Sequence, residues 1–125
     1  MSPARRAVLV VDGANVVGAR PDGWWNDRAG AAARLHDALL QADVPHDEIV
    51  LVLEGRAKQG VRAGGPSSLR VVHASRDGDS EIRRQATLAV EAGHDVTVVT
   101  ADRALAANVA PARVVGPSWL LDRLA

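Results

Sequence analysis

Short apolar runs in this chain stop at acids. Val8-Leu9-Val10-Val11 ends at Asp12, Val50-Leu51-Val52-Leu53 at Glu54, and Val96-Thr97-Val98-Val99-Thr100-Ala101 at Asp102, while Leu69-Arg70-Val71-Val72-His73 is followed by Asp77-Gly78-Asp79-Ser80-Glu81. Clustered carboxylates repel one another unless something positive sits among them, and a hard divalent cation with oxygen ligands is the usual answer. A metal site is the first expectation. Asn15, three residues past Asp12, can fold back to orient a carboxylate or a bound water through its amide. A plain turn would also explain Asp12-Gly13, and simple helix caps would explain Asp79 and Asp102. The agreement of several strand ends favours the site. Asp77 and Glu81 stand as reserve ligands, and Glu54 as an outer acid that reaches a second ion through water. His73 lies near the same edge, where a histidine is more often structural.

These acids meet only if the runs before them are parallel strands. Short β-branched runs separated by helix-like segments read as a parallel sheet covered on both faces, whose carboxyl ends line the ligand crevice. Strands are expected at about residues 7–12, 48–54, 69–73, 95–100 and 112–115. After the first comes an irregular stretch containing Arg20-Pro21-Asp22-Gly23, then a helix with Asn26 as N-cap and Asp27 at its positive end, burying Ala31, Leu35, Ala38, Leu39 and Ala42. Residues 55–68, rich in glycine and carrying Arg56, Lys58 and Arg62, are expected as a long, mobile, basic loop with at most one helical turn. A second helix starts near Asp79 or Ser80, buries Ile82, Ala86, Ala89 and Val90, and stops at Gly93. A short helix covers about residues 103–109, and Pro117-Ser118 opens a terminal helix that turns Trp119, Leu120 and Leu124 inward. The fold class is α/β, three layers in α/β/α order. A doubly wound order sets strand four beside strand one and Asp102 beside Asp12.

One domain spanning residues 1–125 suits a chain of 125 residues that is 47% hydrophobic. The absence of cysteine excludes disulfides, zinc-thiolate centres and cysteine nucleophiles. Formal net charge is zero, so nucleic-acid contact must come from a local basic surface. Arg20, Arg56, Lys58, Arg62 and Arg76 are loop cations suited to backbone phosphates, and ordinary solvated charges would look the same. Trp24 and Trp25 either stack on unpaired bases or anchor their loop, and anchoring is favoured for at least one. The apolar stretch from Ala7 to Val11, broken by Asp12, is too short for a signal peptide or a membrane span. A soluble cytoplasmic protein is expected.

Val11-Asp12-Gly13-Ala14-Asn15-Val16, Val52-Leu53-Glu54-Gly55, Gly78-Asp79-Ser80-Glu81-Ile82 and Thr100-Ala101-Asp102-Arg103 resemble the motifs of the NYN domain, a branch of the PIN-like nuclease superfamily. The resemblance spans nearly the whole chain. It is greatest to small stand-alone bacterial members, which share a stretch similar to Gly18–Trp25 and an ending similar to Gly116-Pro117-Ser118-Trp119. It implies a parallel sheet in the order 3-2-1-4-5, an acidic Mg²⁺ or Mn²⁺ site and cleavage of RNA. Carried over by motif, Asp12, Asp79 and Asp102 are the metal-binding acids and Asn15 their polar support, with Glu54 and Glu81 as further candidates. One departure is Asp79-Ser80, where relatives often carry two adjacent acids, which leaves one metal position weaker or supplied by Glu81.

The chemistry is consistent with this. Hydrolysis of a phosphodiester needs an activated water, in-line geometry and neutralised phosphate charge, which carboxylate-held divalent ions supply without a protein base. RNA is then the expected partner, with no organic cofactor and no membrane, and a homodimer is compatible with the same features. Other aspartate-first α/β proteins fit poorly. A haloacid-dehalogenase-like phosphatase needs an acid where Ala14 stands, a receiver domain needs an aspartate and a lysine where His73 and Gly116 stand, and Gly13 to Gly18 lacks the dinucleotide-binding spacing. The competing reading is a catalytically weak or inactive RNA-binding or protein-interaction domain on the same fold.

Overall fold

Five strands form one sheet in the computed structural model, which describes residues 5–124. They are β1 (Ala7–Asp12), β2 (Glu48–Leu53), β3 (Arg70–His73), β4 (Asp95–Val99) and β5 (Arg113–Val115), all parallel, in the order β3-β2-β1-β4-β5. This is the expected order, and β4 pairs with β1 along its length, Val11 opposite Val99. The helices are α1 (Gly13–Gly18), α2 (Arg28–Gln41), α3 (Gly78–Glu91), α4 (Arg103–Ala107) and α5 (Pro117–Leu124).

Alternation along the strands sorts two cores. Leu9 and Val11 of β1, with Ile49, Leu51 and Leu53 of β2, pack under Val16, Ala32, Leu35, Leu39 and Leu120 from α1, α2 and α5. Val8 and Val10, with Val50, Val52, Val96 and Val98, pack under Ile82, Ala86 and Leu105 from α3 and α4. Both faces of β1 are buried, which explains its unbroken apolar run.

The structure corrects several local expectations. Residues 13–18 are helical rather than irregular, because Asp12 caps its own following turn by accepting from the Asn15 backbone N–H. Gly13 permits that turn to lie against β2, since a Cβ there would sit 2.6 Å from the Val52 carbonyl oxygen and 2.8 Å from Leu53 Cδ2. The cap of α2 is Asp27 instead of Asn26, which ends a 3₁₀ turn at Trp24–Asn26. α3 starts at Gly78, capped by Asp77. Part of the expected basic loop is a 3₁₀ segment, Gly55–Gly60, packed against α2, with Gly60 in backbone contact with Ala29. Gly93, at φ +87°, follows α3 in the left-handed region as expected. No helix among the described residues is long and apolar enough to cross a membrane.

Candidate active site

Strand parity aims the acids. Asp12 has the parity of Val8 and Val10 and so points to the α3/α4 side, as do Glu54 after Val50 and Val52 and Thr100 after Val96 and Val98. Asp12 is 3% exposed. Its Oδ1 accepts from the Asn15 backbone N–H at 3.2 Å, and its Oδ2 accepts from Asn15 Nδ2 and from the Thr100 hydroxyl, both at 2.8 Å. Asn15 Oδ1 accepts from the Ala101 N–H at 3.1 Å, and Thr100 Oγ1 accepts from the Asp102 N–H at 3.1 Å. The ends of β1 and β4 are thereby tied into one unit. Burial pushes the Asp12 carboxyl above the usual carboxylate range and the charge of Glu54 adds to this, while the Thr100 and Asn15 hydrogen bonds oppose it.

Asp79 and Asp102 complete the group. The Asp77 side chain caps α3 through the Ser80 N–H at 2.7 Å, which leaves Asp79 uncommitted to capping. Asp79 is pushed up to about 6 by burial, by a hydrogen bond with Asp102, and by the charges of Asp102, Asp12 and Asp77. Asp102 moves the opposite way, held low chiefly by the Leu105 N–H that it caps at 3.0 Å. Asp102 is therefore both a helix cap and a neighbour of Asp79; the two readings were not exclusive. Thr100 is the residue that sequence reasoning passed over. Its parity with Val96 and Val98 was the available signal.

Other candidates lie around this group with different tasks. Glu54 Oε2 accepts from the Gly78 N–H at 2.6 Å, pinning the start of α3 to the end of β2. Glu81 turns to Arg84 Nη1 at 3.1 Å and Gln85 Nε2 at 2.9 Å, so the structure does not bring it to the three aspartates. Lys58 donates to the Ala74 carbonyl at 3.0 Å, which makes it a tie between the 3₁₀ segment and the end of β3 rather than a free cation. His73 Nε2 is engaged by the Val61 carbonyl at 2.7 Å, a structural role as expected. Arg56 and Arg76 line a cleft of about 550 Å³ beside the acids. Arg20 follows α1 half-buried, and Arg62 is exposed just after the 3₁₀ segment. Trp24 packs on the core and faces the same cleft, whereas Trp25 is 60% exposed.

The donor set suits a hard cation. Asp12, Asp79 and Asp102 offer oxygen only, and no basic side chain is among the groups that shift Asp12 or Asp79. Their oxygens do not close into a cage: among the described residues no three acidic, histidine or cysteine side chains converge on a common point for an ion. Two of the carboxylates are instead turned onto backbone and side-chain donors.

No family model and no curated protein matches the chain. Among solved structures, a tryptophan-to-leucine mutant of Rae1 (YacP) from Bacillus subtilis is similar to it with a TM-score of 0.66 at 19% sequence identity, over 94% of this chain and 74% of that chain. At such identity the likeness establishes a common fold.

Proposed function

We propose that this chain is a metal-dependent ribonuclease that hydrolyses RNA phosphodiester bonds at the carboxyl edge of its sheet, with Mg²⁺ or Mn²⁺ as cofactor. The observation that carries the proposal is that Asp79, hydrogen-bonded to Asp102, lies within reach of the charges of both Asp102 and Asp12 at that edge. The motif resemblance and the fold shared with Rae1 support the same reading. Asp12, Asp79 and Asp102 would hold the ion, with Glu54 as an outer acid. An open group of this kind suits Mg²⁺, which is usually held by one or two carboxylates with water and substrate oxygens completing its shell. When bound, such an ion activates water and neutralises charge on the phosphate.

The rest is work for the chain's own groups. Asn15 and Thr100 donate to Asp12 and so favour its ionised form against the burial that opposes it. Thr100 and the Leu105 N–H fix Asp102 relative to Asp12. Arg56 and Arg76 lie on the approach and suit backbone phosphates. Arg20 and Arg62 are secondary candidates for the same role, and Lys58 is better placed as a loop tie. The proposed setting is the cytoplasm of a bacterium.

A second reading, an RNA-binding or protein-interaction domain without turnover, is favoured by the lack of convergence among the carboxylates. Cleavage separates the two. Wild-type protein and Asp12→Asn are incubated with structured and unstructured RNAs in Mg²⁺ and in Mn²⁺. The wild type should cleave, and the variant should be slower by at least about 100-fold, the upper end of what losing even an indirect support of a metal costs. Equal cleavage by both would overturn the assignment, and no cleavage by either would establish the second reading.

A further inference from the structure

The cleft beside the acids has a composition of its own. Its apolar walls are Val17, Ala57 and Trp24, and its cations are Arg28, Arg56 and Arg76. The Arg28 guanidinium lies over the Trp24 ring, 5.0 Å from the centroid, and Trp25 meets Trp24 edge-on at 6.0 Å. The cleft is thus lined by an indole and a guanidinium in cation–π contact, the two kinds of flat group on which proteins stack unpaired bases. No ion pair among the described residues engages Arg28, Arg56 or Arg76, although Arg5, Arg6, Arg34 and Arg84 all have acidic partners. With Glu54 and Asp77 also lining it, the hollow carries three arginines against two acids, an excess of one positive charge in a chain of zero net charge. An anionic, flat ligand matches that combination.

The cleft borders the group of acids through their chain neighbours. Glu54 and Asp77 line it, and they flank Gly78 and Asp79, Glu54 through the hydrogen bond to the Gly78 N–H. Gly13 and Ala14, which directly follow Asp12, form another wall. A nucleotide lodged there would therefore lie next to the chain segments that carry Asp12 and Asp79.

We propose that this cleft binds one unpaired nucleotide of an RNA strand, with the base against the Trp24 and Arg28 pair and backbone phosphate between Arg56 and Arg76. The inference rests on the ribonuclease reading for the identity of the strand and adds what that reading lacks, a reason for preferring unpaired over duplex RNA. A base held in a helix cannot leave its stack to enter an apolar hollow without the cost of unpairing.

Binding is measured without turnover, by fluorescence anisotropy of a labelled single-stranded decanucleotide RNA in EDTA. Competition uses the same RNA as a duplex and a nucleoside monophosphate. The single strand should bind at least about fivefold more tightly than the duplex, and Trp24→Ala should weaken it by about fivefold or more, within the usual range for one lost base stack. Arg56→Ala and Arg76→Ala alter exposed side chains, and each should weaken binding and flatten its salt dependence. Their circular dichroism should match wild type, which keeps the test valid even if Trp24→Ala unfolds. Displacement of the labelled strand by the monophosphate as effectively as by the unlabelled strand would overturn the proposal in favour of a free-nucleotide site. Wild-type affinity in folded Arg56→Ala and Arg76→Ala, or equal affinity for duplex and single strand, would also overturn it. Binding with these preferences but no cleavage in any metal would uphold the cleft and remove the ribonuclease reading. Cleavage with no effect of the cleft variants on affinity would do the reverse.

Discussion

Thr100 joins the two best-fixed acids through a single hydroxyl, donating to Asp12 and accepting from the Asp102 N–H. Thr100→Val keeps the shape and removes both bonds, leaving a buried carboxylate short of a donor. It should cost about 1–2 kcal/mol in denaturant unfolding and slow RNA cleavage by about tenfold or more, while Thr100→Ser should restore most of the rate. A Thr100→Val protein with wild-type cleavage would show that the bridge is incidental. At this scale the acids were legible because each interrupts or follows an apolar run. Their division of labour was not. Asp77 and Asp79 are separated only by glycine, and either could cap a helix; which one does so depends on where α3 is pinned, and that is set by Glu54 from another strand. Glu81, a reserve ligand in the sequence, is engaged in the structure by Arg84 and Gln85 one turn later on α3.

The element that reasoning from sequence missed, α1, is the one on which the edge is built. Six residues with glycine at both ends read as turn, because so short a helix has little stability of its own. It persists because Asp12 caps it and because Val16 and Val17 are buried in the core. Gly13→Ala tests that account. The added carbon would meet the Val52 carbonyl and Leu53, so a loss of about 1–3 kcal/mol is expected from overpacking, read as a lower midpoint in urea. Unchanged stability would mean that α1 is free to shift. The strands, by contrast, were legible to within a residue or two, because parallel pairing buries both faces and leaves long β-branched runs. Residues 55–60 were harder to read. Their 3₁₀ form is supported by packing against α2 and by the Lys58 tie to Ala74, neither of which is a local signal.

Across the whole molecule the two edges of the sheet differ in character. The acids hold one edge, while His46 and Trp119 pack edge-on at 6.0 Å beside Ala7 and Asp95 near the other. His46 Nδ1 is buried without a hydrogen-bond partner, and burial lowers the affinity of the ring for a proton despite Asp95 and Asp47. A histidine with a lowered folded pKa contributes stability that is present above about 6.5 and is lost as pH falls through the folded value. Wild type should therefore lose melting temperature relative to His46→Gln as pH falls from about 7 to about 5; parallel melting curves against pH would contradict this. The layers followed from the alternation of strand-like and helix-like segments and the full strand order from the motif resemblance, so the global arrangement was the most legible level of all. Whether that edge holds a metal is the central claim, and calorimetric titration of Mn²⁺ into the metal-free protein tests it most directly. Wild type should bind in the millimolar range or tighter and gain about 2.7 kcal/mol of stability when Mn²⁺ is at 100 times its Kd, while Asp12→Asn and Asp79→Asn, folded by circular dichroism, should lose both effects. Neither heat of binding nor a shift in melting at millimolar Mn²⁺ in wild type, or equal binding by all three proteins, would contradict the account.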